Sequence, residues 1–258
     1  MRQTFDRTVL EAQDKVAVIT LNHDATINAL STAMVESLNA ALDATEAGRF
    51  RALVLTGTGR GFCSGADMKE LPARRKEGAG LVLERLFHPL FRRLRDWPAP
   101  VVTAINGPAV GIGMSLALMG DLTVAARSSY FLLSFTRIGL APDGGATFLL
   151  PRLIGLARAR ELALLAEKLP AERALDWGLI NRVVDDARLM DETLDLAHRL
   201  ADGPAALPLT RQLFWDKEGH EAQLSREAAA QQQAGATDDF AEGLAAFLEK
   251  REPRFTGK

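Results

Sequence analysis

The chain has 258 residues, 47% hydrophobic and 25% charged, a globular composition that excludes a disordered chain. Its 31 basic and 33 acidic residues leave a net charge of −2, which excludes a general nucleic-acid binder held by positive charge; local basic residues suffice for a small anionic ligand. At about 150 residues per domain the length fits one large domain, or one with an appendage, with enough buried surface to need no staples.

The single cysteine, Cys63, excludes a disulfide scaffold and a multi-cysteine metal site, and it suits a reducing cytoplasm. His23, His88, His198 and His220 lie far apart without HExxH spacing, so no metal is expected. The longest apolar stretch, Ala109 to Met119, falls short of the roughly 18 residues of a membrane span and stops before Asp121. Met1 to Asp14 is charged and lacks the apolar core of a signal peptide, so a cytoplasmic protein that does not enter membranes is expected. No internal repeat is visible, and the only low-complexity tract is the short run Gln231-Gln232-Gln233.

In chain order, Val16 to Leu21 is β-branched and short and reads as a strand. Ser31 opens a helix with apolar residues at 34, 35, 38, 41 and 42. Ala52 to Thr56 is a second strand, closed by Gly57-Thr58-Gly59. Leu83 to Leu94 has helical spacing until Trp97-Pro98-Ala99-Pro100 breaks it. Val101 to Ile105 is a third strand, and Ser115 to Met119 a short apolar helix. Strands follow at 122–125 and 130–133, then helices at 157–167, 171–177, 188–201, 207–217, 221–234 and 238–250. The pattern predicts an α/β core over 1–200 and a helical region over 201–258, with the boundary near Asp202-Gly203-Pro204.

Gly57-Thr58-Gly59-Arg60-Gly61 follows a strand but lacks the glycine at 62 that a dinucleotide fingerprint requires. No P-loop and no GxSxG elbow is present. Two glycine-bearing turns remain, Gly61 to Lys69 and Asn106 to Ser115, each after a strand and leading towards a helix. Such turns permit tight strand–helix packing. They also aim free amides outward, and two side by side would make an oxyanion hole, each donor worth about 3 kcal/mol in a transition state. Residue types alone leave both readings open. The same holds for Asp143 in Gly139-Leu140-Ala141-Pro142-Asp143-Gly144-Gly145, which reads equally as a helix cap or as a general base in an apolar pocket.

These two turns, in this order, resemble the crotonase (enoyl-CoA hydratase/isomerase) superfamily. The resemblance rests on Phe62-Cys63-Ser64-Gly65-Ala66-Asp67-Met68-Lys69-Glu70 and Ala104-Ile105-Asn106-Gly107-Pro108-Ala109-Val110-Gly111-Ile112-Gly113. Further matches include Leu150-Pro151-Arg152-Leu153-Ile154-Gly155 and Ala174-Leu175-Asp176-Trp177-Gly178-Leu179-Ile180. It covers nearly the whole chain. It implies an α/β spiral of ββα units, a C-terminal helical trimerisation region, a homotrimer or dimer of trimers, and an acyl-CoA thioester substrate. No separate cofactor is implied, CoA being part of the substrate. The oxyanion amides match Ala66 and Ile112, with Gly111 and Gly113 shaping the second turn. CoA contacts are implied for Asp67, Met68 and Lys69, with Phe247 and Lys250 from the C-terminal helix. The run Arg74-Arg75-Lys76 reads as a solvated loop or a phosphate contact. Met68, Leu71, Phe87, Leu90, Phe135 and Ile138 read as acyl pocket or as ordinary core, and Cys63 as a buried small hydrophobe.

The two glutamates with which hydratases of this family handle water match Ser115 and Phe135, neither of which is an acid. With both missing and Pro142-Asp143 present, the chain looks like the branch of ring-1,2-epoxyphenylacetyl-CoA isomerases and enoyl-CoA isomerases. That branch implies Asp143 as a single acid/base that shifts a double bond, or rearranges an aromatic-derived epoxide, in fatty or aromatic acid breakdown. A dehalogenase branch also resembles the chain at His88 and Asp143 but has tryptophan where Phe135 stands, and a lone histidine on an apolar helical face is more often simply packed. The rival expectations are a hydratase of unorthodox mechanism, a dehalogenase-like hydrolase, and a CoA-binding subunit without activity.

Overall fold

A computed structural model describes residues 1–257. Its strands are β1 (Arg2–Thr4), β2 (Thr8–Gln13), β3 (Val16–Leu21), β4 (Ala52–Gly57), β5 (Val101–Ile105), β6 (Ala109–Val110), β7 (Leu122–Ala126), β8 (Tyr130–Leu132), β9 (Leu169–Pro170) and β10 (Arg182–Val184). Its helices are α1 (Thr32–Ala47), α2 (Leu71–Glu77), α3 (Ala79–Val82), α4 (His88–Arg95), α5 (Ile112–Ala117), α6 (Ala146–Leu165), α7 (Ala171–Asp176), α8 (Leu189–Ala201), α9 (Leu207–Leu213), α10 (Lys217–Gly235) and α11 (Asp238–Glu249).

The main sheet runs β1-β2-β3-β4-β5-β7-β10, and β6, β8 and β9 form a second, smaller one. The edge from β1 to β3 is antiparallel, and the main sheet is parallel beyond it. Parallel strands are covered on both faces, so they carry continuous apolar runs, and all five residues of β5 are buried. Alternation along a strand sorts these residues. Val16, Val18, Val54 and Val102 face Leu189, Leu196 and Ala197 of α8. Ala17, Ile19, Leu53 and Leu55 face the main core with Met34, Leu38 and Leu42 of α1. The capping serine at the start of α1 does what its position suggests: Ser31 Oγ accepts from Met34 N at 3.1 Å.

Three departures from the sequence pattern position the site. α5 begins at Ile112 rather than 115, so the second glycine turn runs straight into a helix. The expected helix from Leu83 opens as a π-turn (Leu83–Phe87) before α4, where Pro89 lacks the N–H that a regular ladder would use. The helix expected at 157 is the second half of α6, which starts at Ala146 and breaks at Gly155 (φ 79°, ψ 157°). The N-terminal strands β1 and β2 carry no clear apolar alternation; β2 pairs with β3, and Thr8 is buried through hydrogen bonds to Ser37.

The C-terminal helices fold back onto the core. Gln232 Oε1 on α10 accepts from Gly80 N on α3 at 3.0 Å. Arg211 on α9 gathers the end of α4, donating to the carbonyls of Leu94, Arg95 and Trp97 at 2.7–2.9 Å and to Asp121 at 2.6 Å. Among the described residues no helix is long and apolar enough to cross a membrane. Replacing Arg211 with methionine strands three buried carbonyls and one carboxylate. Urea unfolding is expected to show a loss on the order of 3 kcal/mol.

Candidate active site

The two glycine turns lie side by side. Cys63 and Ala109 form a parallel bridge, with Cys63 N donating to Pro108 O at 3.0 Å and Val110 N to Cys63 O at 2.9 Å. On its other edge this segment bridges Leu30: Leu30 N donates to Gly65 O and Asp67 N to Leu30 O. Those bonds use the residues flanking Ala66, so the Ala66 N–H points away from Leu30. Ile112 is the first residue of α5, where an N–H has no acceptor within the helix. Between the turns Gly111 adopts φ 53° and ψ −128°, a conformation for glycine only, and a Cβ there would lie 4.0 Å from Gly65 Cα. Ala66 and Ile112 both line one cavity of about 320 Å³.

Asp143 lines the same cavity and is 6% exposed. Its Oδ2 accepts from Gln231 Nε2 at 3.0 Å, and its Oδ1 is buried with no hydrogen-bond partner. Burial, reinforced by the negative charge of Glu227, pushes its carboxyl well above the usual carboxylate range; the Gln231 hydrogen bond and the Arg74 charge oppose this. The helix-cap reading does not describe this side chain. Glu227 caps α6 instead, accepting from Gly145 N at 2.7 Å, Thr147 N at 3.0 Å and Thr147 Oγ1 at 2.5 Å. Ser115 Oγ donates to the Asp143 carbonyl at 2.7 Å and fixes the turn from below.

Met68, Leu71, Phe87, Phe135 and Ile138 line the cavity, as do Gly111 and Phe247 of the same chain, whereas Leu90 is packed in the core. Asp67, Lys69, Gly113, His88 and Lys250 lie outside its walls. Asp67 Oδ1 accepts from Lys69 N in a tight turn, and the Lys69 side chain is exposed. Gly113 lets α5 pack on Cys63, whose carbonyl would lie 2.5 Å from any added Cβ. Lys250 ends α11 in a left-handed conformation (φ 56°). His88 is buried on α4 with Nε2 unpartnered. Burial pushes the Cys63 thiol up to about 12, an inert group. Among the described residues no cluster of three or more His, Cys, Asp or Glu side chains is arranged to hold a metal.

The sequence profile described as enoyl-CoA hydratase/isomerase matches residues 11–258. The chain belongs to this family. A 1,2-epoxyphenylacetyl-CoA isomerase of Escherichia coli (strain K12) is 44% identical over 250 residues, spanning 94% of this chain and 95% of the relative. A probable enoyl-CoA hydratase of Rhodobacter capsulatus is 45% identical over 253 residues, spanning 96% and 97%. The crystal structure of an enoyl-CoA hydratase from Mycobacterium avium subsp. paratuberculosis K-10 superposes with a TM-score of 0.86 at 33% identity, covering 98% of this chain and 100% of the other. The crotonase fold expected from the sequence is therefore present, and the enoyl-CoA hydratase/isomerase relatives carry both kinds of activity name.

The site of this family member also uses residues that pattern reading missed. Gln231, placed in a low-complexity run, holds Asp143, and Glu227 lies one turn earlier on α10. The available signal was their spacing: Leu224, Glu227, Ala228 and Gln231 recur at three and four and form the buried face of that helix. Arg74 and Arg75 are not in a solvated loop. They lie on α2, where Arg74 is buried and Arg75 donates to the carbonyls of Gly235 and Thr237. A second buried histidine, His220, sits within electrostatic reach of His88, its Nδ1 3.3 Å from Arg95 Nη1. Burial first, then a neighbouring arginine, lowers both histidines from 6.5 to about 4. Between those values the unfolded chain takes up protons that the folded one refuses, so stability falls as pH drops. The melting temperature of His88→Leu relative to the wild type is expected to rise as pH falls from about 6.5 to 4, the buried carboxyls being common to both proteins.

Proposed function

We propose that the protein is an acyl-CoA isomerase that moves a double bond, or rearranges an aromatic-derived epoxide, through a single acid/base. The observation that carries this reading is Asp143: among the described residues it is the one carboxyl lining the cavity, buried, with one oxygen unpartnered. The amides of Ala66 and Ile112 would donate to the thioester oxygen and stabilise the enolate that forms when a neighbouring carbon loses its proton. Oδ1 of Asp143 takes that proton and returns it to another carbon, while Gln231 fixes Oδ2. Burial and Glu227 strengthen the base. One acid/base suffices for such a shift.

Hydration requires two groups, one to activate water and one to protonate carbon. Ser115 and Phe135 provide neither, and Glu227 is occupied by Gly145 and Thr147. A dehalogenase-like reading draws no support from His88, which lies outside the cavity walls. A cytoplasmic homotrimer, or a dimer of such trimers, belongs to the same proposal. Leu164 and Leu165 on α6 and Leu209, Leu213 and Phe214 near α9 are exposed apolar side chains of the kind subunit contacts cover.

Asp143→Asn tests the mechanism. Deuterium exchange next to the thioester is expected to fall by about a thousandfold or more, with acyl-CoA affinity kept within a few-fold. The raised carboxyl penalises the folded state increasingly as pH rises above 3.8, so the asparagine variant is expected to melt at the same or a higher temperature at neutral pH. Exchange retained by Asp143→Asn would overturn the assignment.

A further inference from the structure

We propose that Arg74 reads an oxygen carried by the acyl group itself, so that the cavity prefers oxygen-bearing acyl-CoA thioesters to purely hydrocarbon ones. This rests on the acyl-CoA reading above and adds a specificity-determining residue to it. Arg74 lines the cavity, is 7% exposed, and has a buried Nη1 with no hydrogen-bond partner. The rest of its guanidinium is fixed. Nη2 donates to Leu30 O at 3.3 Å and to Glu70 Oε2 at 2.5 Å, and the group lies over the Phe87 ring at 5.0 Å. Glu70 is held in turn by the N–H and hydroxyl of Thr32 at 3.0 and 2.9 Å. Leu30, the anchor, is also the residue that bridges Ala66, so the guanidinium is tied to the backbone of the first glycine turn.

A guanidinium offers only donors, so the missing partner is an acceptor. No ion pair joins Arg74 to Asp143 among the described residues; both residues line the cavity, and each has a buried atom without a hydrogen-bond partner. Gln231 Oε1 is a third such atom. The acyl walls around them, Met68, Leu71, Val82, Leu83, Phe87 and Phe135, are apolar. A hydrocarbon group seated there leaves Nη1 buried and unsatisfied, which a site built to hydrogen-bond its ligand penalises. The oxygen is neutral, as in an ether, epoxide, hydroxyl or carbonyl: Glu70 already balances Arg74, and an anionic group would meet Asp143 across the cavity.

The test compares unreactive ring thioesters of nearly equal shape: cyclohexylacetyl-CoA and its three analogues with one ring carbon replaced by oxygen. Calorimetric titration of the wild-type protein is expected to give at least one oxygen isomer an affinity about tenfold or more above that of the hydrocarbon. In Arg74→Lys, which keeps the charge facing Glu70 but lacks the second nitrogen of the fork, that ratio is expected to fall towards one. A purely structural role would weaken all four thioesters alike and leave the ratio unchanged. Equal wild-type binding of all four overturns the inference and leaves the acyl-CoA reading standing. Binding by none overturns both. Where the lysine variant fails to fold, Arg74→Gln, an uncharged side chain, takes its place in assigning the preference to the guanidinium.

Discussion

A carboxyl group taken out of water loses hydration that no apolar wall restores, and it responds by holding its proton more tightly. Asp143 is in that position, with one amide hydrogen bond on Oδ2 and nothing on Oδ1. Its surroundings are organised around tolerating this. Ser115 holds its carbonyl, Glu227 takes over the capping of α6 that an aspartate in this turn would otherwise perform, and Gln231 orients the carboxyl from another helix. The result costs stability and yields a base stronger than an exposed aspartate, the exchange found where a side chain is kept for chemistry rather than for folding.

The cradle opposite depends on backbone rather than on side chains. Two strands end in adjacent turns, and each turn leaves an N–H unclaimed for a different reason. Ala66 is the unbonded member of a bridge, and Ile112 is the first residue of a helix. Neither function specifies a side chain, which is why alanine and isoleucine serve at positions of such geometric consequence. The constraint falls on their neighbours, above all on Gly111, whose backbone angles no other residue adopts comfortably.

This division explains what the sequence made legible. Strands such as Val101 to Ile105 announce themselves because both faces are buried, and α1 because its cap and apolar spacing agree. The two turns were visible through their glycines, the family followed from their order, and Asp143 was visible in a third glycine-bearing turn after them. Gln231 and Glu227 were not visible, because their roles depend on α10 folding back across the chain, a long-range contact with no local imprint beyond polar residues on a buried helical face. His88 drew notice for its chemistry, yet it is buried outside the cavity walls, which include no residue of α4, a matter of packing that residue type does not reveal. Arg74 looked like part of a basic loop until α2 turned it inward onto Phe87.

Because Gln231, Phe240 and Phe247 complete a cavity whose other walls come from residues 64–143, the pocket closes only when the C-terminal helices fold back onto the middle of the chain. During synthesis the aspartate emerges from the ribosome nearly ninety residues ahead of the glutamine that orients it. A nascent chain therefore presents an open apolar trough until its last helices arrive, and the window in which it needs protection from aggregation is set by the time taken to translate that final stretch.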